Sequence, residues 1–200
     1  MQLYLSNSRP WRTDYCTEDG VVLYKADAPR FSWGGETISI TKLQPSAGNY
    51  QHNYAQLAEI EYHSGGLFSQ DSRIKIGNRN LAAKEVLMKG HTKFWTSGYG
   101  ERIFAGPDGK MYVWKMGSDK CRLFLKDTEI LIATFHRKHL GVLSDARAAS
   151  LEIVPQGQHM MDDILTTFIY MERLRTQKAQ ARNAAASSAG AAGGGGGGGC

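Results

Sequence analysis

The stretch from Met160 to about Gln177 constrains the fold more than any other part of the chain. Apolar residues fall at Met160, Met161, Ile164, Leu165, Phe168, Ile169, Met171 and Leu174, at helical i, i+3 and i+4 spacing. Asp162 and Asp163 lie in the first turns, and Arg173, Arg175 and Lys178 lie near the end, an order that suits the helix macrodipole. The middle turns, Ile164 to Met171, carry only Thr166 and Thr167 as polar residues. A helix that is apolar nearly all round is buried on most sides. It needs a wall, and the residues before it must supply one.

Those residues read as strands. Short alternating or β-branched runs recur at Leu3–Ser6, Val21–Ala26, Glu36–Lys42, Gln56–His63, Arg73–Ile76, Arg102–Ala105, Lys110–Lys115, Arg122–Lys126, Ile130–His136 and Leu151–Val154. Turn-formers such as Asp19-Gly20, Pro45-Ser46-Ala47-Gly48 and Ser64-Gly65-Gly66 separate them. Many short strands with this punctuation argue for a sandwich or barrel and against βαβ units. The clearest hairpin is Arg102 to Met116, folded at Gly106-Pro107-Asp108-Gly109. Tyr112, Trp114 and Met116 share one face of its second strand, and Met111, Val113 and Lys115 share the other. Apolar groups on both faces mark that strand as central. Leu81–Lys89 fits a helix of one or two turns, with a short strand as the alternative.

The chain has 200 residues, 42% hydrophobic and 22% charged, enough for one core. After Arg182 the composition falls to Ala, Ser and Gly, ending at Cys200. Such a segment buries almost nothing, so the reading is one domain over 1–178 and a disordered tail over 179–200. Net charge is +5, mildly basic and without the dense Lys/Arg clusters of a nucleic-acid binder. No apolar stretch reaches the ~20 residues of a spanning helix, and no secretory signal is visible. Cys16, Cys121 and Cys200 show no CxxC pair and no disulfide framework, which points to a reducing, cytoplasmic location.

Several residues together resemble a fungal family, best known from basidiomycetes, that is catalogued as a domain of unknown function. They are Tyr24, Thr37-Ile38 and Ala58-Glu59-Ile60-Glu61-Tyr62, then Arg102-Ile103-Phe104 with Asp108-Gly109, Tyr112 and Trp114. Cys121-Arg122-Leu123, Ala133-Thr134-Phe135-His136 and Leu151-Glu152-Ile153 follow. The last pieces are Asp163-Ile164, Thr167-Phe168-Ile169-Tyr170, Glu172 and Arg175. The family pattern prefers Trp where this chain has Tyr62. That family looks like a distant relative of the tubby C-terminal-like fold, shared with LURP-one-related proteins and phospholipid scramblases. The resemblance implies a β-rich α+β fold: a closed antiparallel β-barrel of about a dozen short strands around a hydrophobic C-terminal helix. It assigns no catalytic residues.

No motif carries catalysis on its own. His136 and His139 have the spacing of two metal ligands but no evident further ligands, and they read as a surface turn, so no metal and no cofactor is expected. Cys121 reads as a small packing residue. Adjacent Asp162 and Asp163 point about 100° apart on a helix and cannot form a facing acid–base pair. Asp108-Gly109 reads as hairpin punctuation. Arg73 and Lys75 share a strand face and Arg79 lies nearby, with Lys120, Arg122, Lys126, Arg137 and Lys138 later in the chain. Arg73, Lys75 and Arg79 are the candidates for an anionic headgroup, as the tubby-like resemblance suggests. Cys200 is a candidate lipidation site, with Arg173, Arg175, Lys178 and Arg182 as a basic second signal.

The reading is a non-catalytic intracellular domain that meets an anionic membrane surface or a protein partner, with peripheral attachment, no transmembrane segment and no nucleic acid. Two alternatives stand beside it. One is an enzyme with an unrecognised site in a barrel mouth or loop. The other is self-assembly through the Gly-rich tail and Cys200.

Overall fold

The computed structural model describes residues 1–29, 35–45, 53–63, 71–90, 100–138 and 147–191. They form thirteen strands. The first seven are β1 (Gln2–Leu5), β2 (Thr13–Cys16), β3 (Val22–Asp27), β4 (Gly35–Leu43), β5 (Tyr54–His63), β6 (Arg73–Ile76) and β7 (Arg79–Ala82). A one-turn helix, α1 (Ala83–Val86), leads to β8 (Met88–Lys89). The chain continues through β9 (Glu101–Ala105), β10 (Met111–Met116), β11 (Cys121–Leu125), β12 (Leu131–His136) and β13 (Ser150–Ile153). A 3₁₀ turn, Pro155–Met160, then feeds the long helix α2 (Met161–Ala191).

All thirteen strands belong to one antiparallel sheet, ordered β7-β6-β5-β4-β3-β2-β1-β13-β12-β11-β10-β9-β8. Every neighbour is consecutive in the chain except β1 and β13. Those two zip the first strand against the last: the Met1 amino group donates to the Ile153 carbonyl at 2.7 Å, and Leu3 faces Leu151. Among the described residues the ladder has two ends, β7 and β8, which do not pair with each other. The closed barrel expected from the resemblance is therefore not completed by hydrogen bonds. The five residues that join the two edge strands, Ala83 to Leu87, include the single turn α1.

The helix lies inside this sheet. Six consecutive residues, Ile164 to Ile169, are each at most 1% exposed. Successive residues point about 100° apart, so six in a row cover every direction around the helix axis. The helix draws its partners from both arms of the sheet. Trp114 on β10 donates its indole N–H to Thr167 at 2.9 Å, and the Phe168 ring packs against Phe135 of β12 at 4.9 Å. On the other arm, Tyr24 of β3 donates to Asp162 at 2.7 Å, and Tyr62 of β5 meets Tyr170 edge-on at 5.8 Å. Gly157 lets the 3₁₀ turn close down on the sheet, since a Cβ there would sit 2.7 Å from Ile132.

The hairpin forms as expected. Gly109 takes φ +76, Tyr112, Trp114 and Met116 are all buried, and β10 lies between β9 and β11. Leu81–Lys89 contains the end of β7, the single turn α1 and the whole of β8. The helix expected to end near Gln177 runs on to Ala191, so residues 179–191 are helical where a disordered tail was expected. The physical reason is propagation: once packing has formed the buried half, each further residue costs little, and Ala is the best helix former. Ala179 still packs against the core, whereas the side chains from Gln180 to Ser187 are exposed and add nothing to it. The final nine residues, including Cys200, lie outside the described residues.

Candidate functional site

Where α2 leaves the sheet, its side chains meet the loop between β1 and β2 and the end of β12. The loop is held by a turn, Arg12 N–H to Arg9 C=O at 2.9 Å, and by the buried Tyr15 hydroxyl, which donates to the Pro10 carbonyl at 2.6 Å. Together these elements wall a cleft of about 530 Å³. Six cations line it: Arg9, Arg12, Arg137, Lys138, Arg173 and Arg175. Only two acids do, Glu36 and Glu172.

Both acids are already engaged. Arg175, 2% exposed, grips Glu172, 1% exposed, through Nε and a terminal nitrogen, each at 2.9 Å. Its remaining nitrogen donates to the Ser118 carbonyl at 3.0 Å. Such a fork fixes orientation as well as charge. Arg173 pairs with Glu36, and its guanidinium lies over the Trp11 ring at 5.1 Å and the Tyr62 ring at 4.9 Å. Arg137 reaches within 4.0 Å of Glu172, whose charge Arg175 already balances. Arg9, Arg12 and Lys138 make no ion pair among the described residues. The cleft therefore carries a surplus of positive charge on exposed or half-exposed side chains.

Burial pushes the Glu172 carboxyl up, to about 7, with Arg137 pulling it down and Asp119 pushing it up. Burial also raises the Cys121 thiol and the Tyr15 hydroxyl, and the negative charge of Glu172 raises both further. A thiol held that high and 0% exposed is the opposite of an activated nucleophile, so Cys121 packs as expected.

The headgroup candidates named from the sequence do not converge. Arg73 and Lys75 sit on the outer face of β6, opposite Glu61 and Glu59 of β5. Arg73 also spends its donors on Asn80, at 3.0 Å and 2.9 Å. Arg79 pairs with Ile76 in the β6–β7 register and so belongs to the opposite face. His136 binds Glu152 at 2.8 Å, and His139 lies outside the described residues. Asp162 accepts from Tyr24 and from Lys42, at 2.7 Å and 2.8 Å, while Asp163 lines a different part of the molecule, so the two carboxyls diverge as expected. Asp108 accepts from the Tyr112 hydroxyl at 2.9 Å and serves the hairpin.

Nothing in the sequence marks Arg9, Arg12 and Trp11 as site residues, because a loop residue carries no periodicity. Glu172 and Arg175 had a signal: a charged i, i+3 pair directly after a helix segment apolar on all sides. Among the described residues no helix is long and apolar enough to cross a membrane.

A family model described as a family of unknown function, DUF6593, matches residues 8–177, a span that includes Arg9, Arg12, Arg137, Lys138, Glu172, Arg173 and Arg175. No curated protein and no solved structure matches the chain.

Proposed function

We propose that this chain, which belongs to the DUF6593 family of unknown function, is a non-catalytic domain binding a phosphate-bearing ligand in the cleft at the end of the buried helix. The surplus of cations in that cleft supports this reading. Arginine forks and lysine point charges are the usual partners of phosphate oxygens. The resemblance to the tubby C-terminal-like group, whose expected architecture is a sheet around a C-terminal helix, supports the same class. The ligand chemistry is shared by two sources, a phosphorylated lipid headgroup and a soluble polyphosphate.

Two binding arms separate them. One titrates the protein with inositol hexakisphosphate. The other floats it with phosphatidylcholine vesicles, with and without phosphatidylinositol bisphosphate, at two salt concentrations. Binding in both arms indicates a headgroup, and binding only in the first indicates a soluble ligand. Salt should weaken either, since the cations are exposed. Each cation near an anionic surface contributes ~1 kcal/mol. Arg137→Glu with Lys138→Glu should therefore weaken binding on the order of a hundredfold, while Arg73→Glu with Lys75→Glu should leave it within about twofold. No binding in either arm would overturn the proposal.

Acidity should tighten this binding. The groups facing Glu172 are Arg175 on its own helix, Arg137, Cys121, Asp119 and Tyr15. Protonating Glu172 removes one negative charge from the wall. Affinity for inositol hexasulfate, whose own charge stays constant, is expected to rise a few-fold as pH falls from about 8 to about 6. Glu172→Gln should flatten that profile. An unchanged slope in the variant would assign the effect to another group.

A further inference from the structure

A second cavity opens at the seam where the ladder stops. It holds about 290 Å³ and shares no lining residue with the cationic cleft. One wall is Ile74, Ile76 and Leu81 from β6 and β7. The other is Phe104 with the Gly106-Pro107 turn, and Val86 and Met88 close the side toward α1 and β8. The floor is the first half of α2, through Asp163 and Thr167.

Two observations point to a ligand. Leu81 and Met88 are 41% and 45% exposed, although both border this cavity. Large apolar side chains gathered at one cavity mouth suit an occupant that covers them. The cavity also contains a carboxylate, Asp163, that forms no ion pair among the described residues, whereas its neighbour Asp162 has Lys42. Burial pushes the Asp163 carboxyl up and the neighbouring Asp162 adds to this, while Arg79 and His159 pull it down. Glu85 adds a second acid to the lining, against Arg79 as the one cation. Apolar walls with a few convergent polar groups are the usual composition of a small-molecule site.

We infer that the seam between β7 and β8 is a binding site for a small apolar amine, its ammonium group facing Asp163 and its body between Phe104 and the Ile74–Leu81 wall. A carboxylate ligand of the same size would place its charge against Asp163 and Glu85. A dry apolar cavity of about 150 Å³ holds one benzene ring. The seam therefore suits a body of about two rings.

A matched series tests both shape and charge: naphthylethylamine, naphthylethanol and naphthaleneacetate, titrated by calorimetry against the full chain. The expected order is amine, then alcohol, then carboxylate, with the amine preferred over the carboxylate by about tenfold or more. Asp163→Asn should bring the amine down to the alcohol while leaving alcohol binding unchanged. Ala105→Trp, at an exposed position on the cavity rim, should block all three without unfolding the protein, checked by an unchanged melting temperature. Binding of none of the three, equal binding of all three, or an amine preference that survives Asp163→Asn would each overturn the inference. Inositol hexakisphosphate should not compete with the amine, because the two cavities share no lining residue.

Discussion

Phe168→Asp is expected to leave no folded protein. Phe168 is 0% exposed, with the Phe135 ring 4.9 Å away and the Trp114 ring 6.0 Å away. Truncating a buried Phe typically costs about 3–5 kcal/mol through lost transfer energy and the residual cavity. A carboxylate at the same place adds an effective penalty of several kcal/mol for an unpaired buried ion. The sum is comparable to the whole stability of a domain, roughly 5–15 kcal/mol. Its nearest cations do not help, since every side chain from Ile164 to Ile169 is enclosed by the sheet. Phe168→Leu keeps an apolar group there and should lower stability by only about 1–2 kcal/mol. Circular dichroism and solubility of the two variants check this. A soluble Phe168→Asp protein with a cooperative melt would show that α2 is not the core.

That expectation was already legible in the sequence, and the reason is physical. A helix apolar on every side states its own burial, whatever surrounds it. Strands with alternating β-branched residues were equally plain: Arg73–Ile76 is β6 as read, and β4, β5 and β10 to β13 differ from their readings by two residues at most at either end. What the sequence hid was structure set by partners. Thr13–Cys16 has only Tyr15 and Cys16 as apolar residues, yet it is β2, because β1 and β3 offer it hydrogen bonds on both edges. Met88–Lys89 is too short for any pattern and is a strand only through β9. The pairing of β1 with β13 spans almost the whole chain and leaves no local trace.

The candidate site was less legible than the fold for the same reason. Charge in a sequence is a list, whereas a site is a convergence. Arg73, Lys75 and Arg79 are close in number but end on two faces, two of them opposite glutamates. Arg9 and Arg137 are far apart in number yet line one cleft, because a β1–β2 loop and the end of β12 flank the same exit of α2.

Glu172→Ala is expected to lower stability by about 3–5 kcal/mol, since it leaves the Arg175 guanidinium buried with only the Ser118 carbonyl as partner among the described residues. Arg175→Met should cost a similar amount by stranding the carboxylate, although the Glu172 carboxyl, already pushed up to about 7 by burial, can relieve part of this by taking a proton. The double variant Glu172→Met with Arg175→Leu should lose far less than the two single losses combined, because apolar groups of similar volume replace a buried ion pair at little net cost. Urea melts of the wild type, both single variants and the double variant give the coupling. Additive losses would mean that the fork contributes no pairwise energy, and that Glu172 and Arg175 are held by packing alone. A large coupling, with phosphate binding retained in the double variant, would separate the two roles at this end of the helix. The buried pair would then be what fixes α2 against the turn at residues 117–120 that joins β10 to β11, and the exposed cations around it, Arg9, Arg12, Arg137 and Lys138, would be what meets the ligand.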